Sequence, residues 1–230
     1  MNYESISTAT EEEFLSKATT LLEERIAAAL AKTGRCILGL CGGSTPKMIY
    51  HALAERPIEW TNVWVFLTDE RYVDAQDPES NFGMIKRNLV DIAHLAPEQI
   101  IAPNTSLPLD GCVAAYDESL RQLFSTKGEP DVSVLGMGTD GHVASLFPPL
   151  PEDAFGGALV LRTFTESFAV RDRITVTMPV LLRAEHHFVF LKGEEKKQMW
   201  ETVTTSQRNP LLYPLQEILA AENTTVVTQW

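Results

Sequence analysis

His142 and Asp140 stand two residues apart in Gly136-Met137-Gly138-Thr139-Asp140-Gly141-His142, a glycine-lined stretch that follows the apolar run 131–135 and precedes a short helix-compatible segment, 143–147. An imidazole beside a carboxylate can move a proton, and loops at the carboxyl ends of strands are where open α/β sheets bind small ligands. A purely structural turn needs the glycines but neither the acid nor the imidazole. The stretch therefore points to an enzyme and gives His142 a catalytic role.

Gly136, Gly138 and Gly141 also spell G-x-G-x-x-G, the pattern of a dinucleotide-binding turn. That pattern calls for an acidic residue about 20 positions on, at the end of a second strand. The downstream acids Glu152, Asp153 and Glu166 close no apolar run, and Asp140 would repel a pyrophosphate, so a nicotinamide nucleotide is disfavoured. A serine hydrolase built from Ser145, His142 and Asp140 is disfavoured too. Ser145 lies three residues beyond the histidine on the same expected helix, no G-x-S-x-G elbow is present, and triad members come from separate loops.

Gly42-Gly43-Ser44-Thr45-Pro46 offers backbone amides, two hydroxyls and a helix N-terminus, the makings of an anion site for a phosphate. It lacks the lysine of a Walker loop and so gives no support to a nucleoside triphosphate. Asp69-Glu70-Arg71 ends a run that should be buried on both faces, which puts at least one of these charges at the sheet's edge, hydrated or paired. Lys196 and Arg173, each taken alone, read as surface residues.

These residues need elements to hold them. Residues 11–31 carry Phe14, Ala18, Leu21, Leu22, Ile26 and Leu30 at helical spacing, with acids in the first turn and Gly34 as a stop. Strands are expected at 35–40, 63–68 and 131–135, with further candidates at 159–162, 173–177, 188–191 and 224–227. Helices are expected at 46–54, with Thr45 near the cap and Pro46 in the first turn, and at 80–91, 112–125, 194–204 and 212–221. This alternation predicts an α/β fold with a doubly wound, largely parallel, Rossmann-like sheet flanked by helices, as a single domain over residues 1–230. The stretch 147–157, rich in proline and glycine, is the longest irregular segment and reads as a surface loop or an active-site flap.

Composition narrows the function. A chain of 230 residues with 44% hydrophobic content can bury a sizeable core. A net charge of -12 argues against nucleic acid and against anionic membranes, while leaving room for one small anion held by local donors. The first ten residues are polar and give neither a leader nor a membrane span, so a cytoplasmic protein is expected. Cys36, Cys41 and Cys112 lack paired spacing and read as buried free thiols, with a reactive thiol at Cys41 as the alternative. The five histidines contain no i,i+4 pair, and His186 and His187 on a strand would point to opposite faces, so no metal site is expected.

Five stretches, in order, resemble the 6-phosphogluconolactonase family, in the superfamily shared with glucosamine-6-phosphate deaminase. They are Leu38-Gly39-Leu40-Cys41-Gly42-Gly43-Ser44-Thr45-Pro46; Thr68-Asp69-Glu70-Arg71-Tyr72-Val73 with Ser80-Asn81 after it; residues 135–148 around His142; Arg173-Ile174-Thr175-Val176-Thr177; and Gly193-Glu194-Glu195-Lys196. The proline pair that often precedes the Arg-Ile-Thr stretch is replaced by Val170-Arg171-Asp172. Deaminases of the superfamily carry a glutamate five residues after the loop histidine, where this chain has Phe147, and a tyrosine where it has Arg71. The resemblance implies cofactor-free, metal-free hydrolysis of 6-phospho-D-glucono-1,5-lactone, a small-molecule substrate, in the pentose phosphate pathway.

It further implies that His142 activates water, with Asp140 either orienting the imidazole or bonding the loop backbone. Gly42, Gly43, Ser44, Thr45, Arg173 and Lys196 would hold the phosphate. Asp69 and Arg71 would line the sugar end, unless Arg71 pairs internally with Asp69 or Glu70, and Gly138 belongs to the loop offering oxyanion donors. Two rivals remain: a binding-only sugar-phosphate effector domain, which has no need of His142, and a dehydrogenase. Oligomeric state is left open.

Overall fold

The computed structural model describes residues 3–230. In chain order its elements are β1 (Tyr3–Thr8), α1 (Glu11–Thr33), β2 (Cys36–Leu40), α2 (Ser44–Ala54), β3 (Val63–Leu67), β4 (Asp69–Arg71), α3 (Asn81–Ile85) and β5 (Ile100–Ile101). There follow α4 (Leu109–Lys127), β6 (Val132–Leu135), β7 (Val160–Phe164), β8 (Asp172–Val176), α5 (Met178–Leu181), β9 (His186–Lys192), α6 (Glu194–Thr205), α7 (Leu215–Ala220) and β10 (Thr224–Gln229). The first helix forms where spacing and caps agree. Thr10 accepts a hydrogen bond from the Glu13 amide at 3.1 Å, and Gly34, at φ 74, ends the helix with its amide on Leu30 O.

Seven strands pair in parallel in the order β1-β10-β9-β6-β2-β3-β5. From β2 the chain builds outward through β3 to β5. It then returns to the other side of β2 as β6 and builds outward again, so the switch point lies between β2 and β6, where the loops after both strands open a crevice. Alternate residues of the central strands enter two cores. Leu38, Leu40, Val132, Val134, Phe188 and Phe190 pack with α1 and α2, while Ile37, Leu135, Val189 and Leu191 pack with α4 and α7 on the opposite face. Among the described residues no helix is long and apolar enough to cross a membrane.

Two departures from the sequence expectation have physical reasons. Tyr3–Thr8, which reads as polar, is a strand: it pairs on one side only, with β10, and edge position spares it the apolar residues an interior strand needs. The strands around 159–162 and 173–177 exist but do not join the parallel sheet. They form β7 and β8 of a separate antiparallel sheet in the order β4-β8-β7. The joint is Thr68, whose amide donates to Leu40 O at 2.9 Å while its carbonyl accepts from the Val176 amide at 2.9 Å. The small sheet is thereby held across the carboxyl end of β2, beside the crevice.

Candidate active site

The loop after β6 folds on itself, Gly138 donating its amide to His142 O at 2.9 Å and Gly141 to Gly138 O at 3.0 Å. His142 Nδ1 lies 2.5 Å from Asp140 Oδ1, and the same oxygen accepts from the His142 amide at 3.3 Å. Asp140 thus orients the ring and ties the loop backbone at once. Burial works to raise the Asp140 pKa, but the hydrogen bond and charge of His142, with backbone donors, outweigh it and leave the carboxyl below its usual range. A Cβ on Gly138 would lie 2.2 Å from the His142 ring. The second glycine of the dinucleotide-like pattern therefore makes room for an imidazole.

The expected helix at 143–147 is absent. Val143 and Leu146 form an isolated bridge, and Ala144 has φ 52. Partners on other elements capture the polar groups that would face a helix there. Ser145 donates its amide to Thr175 Oγ1 at 3.3 Å and its hydroxyl to Asp69 Oδ2 at 2.6 Å, and its carbonyl accepts from Thr163 Oγ1 at 2.7 Å. Ser145 serves Asp69 and not His142, which removes the serine-hydrolase reading on firmer ground than helix geometry.

The opposite wall is cationic. Helix α2 starts at Ser44, one residue before the expected cap; its N-cap is Gly43 at φ 114 and no side chain caps it, leaving first-turn amides without intrahelical acceptors. Strand register sets Arg71 directly opposite Arg173, a like-charge pair that destabilises a sheet unless an anion or acid offsets it. Arg71 reaches Glu79, at 2.7 Å to its carbonyl and 3.6 Å to its carboxylate, and not Asp69 or Glu70. Its Nε is buried without a partner. Arg173 is 5% exposed, against the surface expectation, and makes one hydrogen bond, from Nε to Val170 O at 2.9 Å. Burial, then the neighbouring Arg71 charge, pulls the Arg173 pKa down, and burial does the same to Lys196. Neither Arg173 nor Lys196 forms an ion pair among the described residues.

Asp69 and Glu70 are both buried. Glu70 accepts from the amides of Arg71, Asn81 and Phe82, each at 2.7 Å, and from Ser80 Oγ at 3.1 Å, so it clamps the start of α3 to β4. Asn81 in turn donates Nδ2 to Asp69 O at 3.0 Å, and its Oδ1 would lie 1.7 Å from a Cβ on Gly42. Gly42 is thus the space into which Asn81 fits. Burial pushes the Cys41 thiol up to about 12, so this cysteine on the cavity wall stays protonated and the reactive-thiol alternative falls.

The two glycine loops and the cationic wall meet in one cavity of about 270 Å³. Gly42, Gly43, Ser44, Thr45, Asp69, Arg71, Gly138, His142, Arg173 and Lys196 line it, with Asp140 behind His142. Asn81 and Phe168 also line it and were not among the expected site residues. The Ser80-Asn81 pair was a readable signal for the first. Nothing local marked Phe168, which sits in the bend between β7 and β8 and reaches the cavity only because the small sheet is placed there. Residues 147–157 do not line the cavity; Leu150 and Ala154 pack into the core instead.

The model of the family described as glucosamine-6-phosphate isomerases/6-phosphogluconolactonase matches residues 9–227. The chain belongs to this family. It is similar to a probable 6-phosphogluconolactonase of Dictyostelium discoideum, 36% identical over 223 residues and covering 95% of this chain and 94% of that one. A 6-phosphogluconolactonase of Mesorhizobium japonicum is 32% identical, with 82% and 80% covered. Among solved structures, the 6-phosphogluconolactonase of Plasmodium vivax superposes with a TM-score of 0.89 at 28% identity, covering 100% of this chain and 91% of that one. That of Thermotoga maritima gives 0.86 at 26%, covering 98% and 99%. Within this family the chain carries Phe147 with its ring centroid 4.8 Å from that of His142.

Proposed function

We propose that this chain, as one domain acting in the cytoplasm, hydrolyses 6-phospho-D-glucono-1,5-lactone to 6-phospho-D-gluconate, with water activated by His142. The observation that carries the reading is a single cavity with an acid-supported imidazole on one wall and, on the other, uncapped helix amides beside Arg173 and Lys196, which lack acidic partners. The names of the relatives at 31–36% identity agree with it.

With Nδ1 committed to Asp140, Nε2 is the nitrogen left to take a proton from water. The water oxygen bonds to the lactone carbonyl carbon, and the resulting oxyanion is stabilised by amides of the two glycine loops other than those of Gly138 and Gly141, which are engaged with His142 O and Gly138 O. The carbonyl reforms as the ring C–O bond breaks, and the imidazolium gives its proton to the departing ring oxygen. Asp140 supports the positive ring throughout. The phosphate is held by Gly43, Ser44, Thr45, Arg173 and Lys196; Arg71 and Asp69 face the sugar. General base catalysis contributes about 10²–10⁴-fold, which suits a lactone that already opens in water.

A deaminase would need a further proton-transfer group at Phe147, and a phenyl ring neither donates nor accepts one. The test is hydrolysis of freshly generated lactone, corrected for spontaneous opening, beside an assay for ammonia from glucosamine 6-phosphate. Accelerated lactone opening without ammonia release is expected. Ammonia release with lactone opening no faster than in buffer would overturn the proposal.

A further inference from the structure

Two phenyl rings stand between the proposed base and the cavity's most buried cation. Phe147 lies 4.8 Å from the His142 ring centroid, and Phe168 meets the same ring edge to face at 5.5 Å and 85°. The two phenyl centroids are 6.0 Å apart. The Arg173 guanidinium lies over both, 5.8 Å from Phe147 and 5.5 Å from Phe168. Phe168 is 37% exposed and lies in a bend closed by Thr165 N to Arg171 O at 3.0 Å, with Val170 O holding Arg173 Nε. An exposed phenylalanine at such a bend adds little to the core, yet this one reaches the cavity wall and touches both functional side chains.

We infer that Phe147 and Phe168 form an aromatic wall that positions His142 and favours its charged form as the reaction proceeds, with Phe168 the determining member. This rests on His142 being the base. The planes of His142 and Phe168 cross at 85° with centroids 5.5 Å apart, the edge-to-face arrangement that aromatic rings prefer, so the imidazole is held in one orientation. Both phenyl centroids lie within about 6 Å of the imidazole, the range over which a cation gains from an aromatic face. Asp140 fixes the ring from behind through Nδ1, and the aromatic pair fixes it from the side; neither alone sets both position and tilt. The other charged groups of the cavity are Arg71 and Asp69 from β4, Arg173 from β8 and Lys196 from α6. The phenyl rings lie beside Arg173 and leave its guanidinium free to bind an anion.

A residue acting this way is a positioning residue, and its loss lowers turnover more than binding. Phe168→Leu, which keeps an apolar side chain without a π face, is expected to lower kcat about 3- to 10-fold with KM changed less than twofold, and Phe168→Tyr to restore most of the loss. Phe147→Leu should act in the same direction. In a His142→Ala background, Phe168→Leu should cost nothing further. Equal losses in Phe168→Leu and Phe168→Tyr, a change confined to KM, or an undiminished cost in the His142→Ala background would each overturn the inference. Near-normal kcat in His142→Ala alone would instead overturn the base assignment, so the two failures are separable. Thermal unfolding of each variant checks folding, and a loss of kcat that tracked only the folded fraction would count against the wall.

Discussion

The two ends of the parallel sheet differ in how far their buried cations are matched. At the amino end, His187 Nδ1 meets Ser133 Oγ at 2.8 Å, His186 Nε2 meets Thr225 Oγ1 at 3.1 Å, and Asp131 accepts from the Ile37 amide at 2.7 Å while pairing with Arg35. At the carboxyl end Arg71 faces Arg173, neither Arg173 nor Lys196 has an acidic partner among the described residues, and the first turn of α2 has no side-chain cap. Charges that hold a fold are matched within it, because an unmatched buried group costs about 1–3 kcal/mol. Groups left unmatched around a cavity are a cost that a bound anion would offset. The same contrast runs through one residue type: His142 is bonded to a carboxylate and half-buried beside open space, whereas His187 is buried and bonded to a hydroxyl.

That contrast breaks if the two classes of histidine exchange roles. His142→Ala is expected to lower kcat by about 10²-fold or more with little change in folding stability; kcat close to that of the parent in a folded variant would end the distinction. Next in size, Arg173→Ala and Lys196→Ala should each weaken binding of inorganic phosphate and product by about 1.5–3 kcal/mol, measured calorimetrically, since charge-assisted bonds to phosphate are of that strength. Unchanged affinity in both would move the phosphate elsewhere.

The amino end makes its own prediction through pH. Burial lowers the pKa of both His186 and His187 from 6.5 to about 4. In the unfolded chain these rings take up protons as pH falls below 6.5, whereas the folded chain holds them neutral until about 4. Stability is therefore lost across that window as acid is added, by on the order of 1–3 kcal/mol. Urea midpoints measured at about pH 7, 5.5 and 4 should fall in that order for the parent and less steeply for His187→Gln. The smallest effect is expected from Ser133→Ala, which removes the partner of His187 and should cost about 1 kcal/mol of stability while leaving kcat at the parental value. A drop in kcat there would show that the two ends of the sheet are coupled.

Much of the site was legible because glycine and the chemistry-bearing residues lie close together in sequence. The spacing of Asp140 and His142, the glycines after β2 and β6, and the parallel α/β order all follow from local pattern, and the structure brings their cavity together at the switch point. The assignment of Arg173 and Lys196 to that cavity came from family resemblance alone. Each is an ordinary charged residue by local pattern, and a charge at the head of a strand or helix is commonly solvated.

What local pattern missed depends on partners distant in the chain. Residues 143–147 have helical composition, but hydrogen bonds from Thr163, Thr175 and Asp69 draw the Ser145 backbone and hydroxyl out of a helix. The Arg71–Arg173 pairing is a matter of strand register across about 100 residues, and Phe168 reaches His142 only once that register is set. The sequence by itself determined the placing of an imidazole two residues from a carboxylate, the glycine turns and the alternation that builds a parallel sheet, because these are set by neighbours a few residues apart. Only the tertiary structure decided that a second, antiparallel sheet closes the crevice and brings two arginines, a lysine and an aromatic wall to the histidine, because such contacts exist only after distant strands have paired.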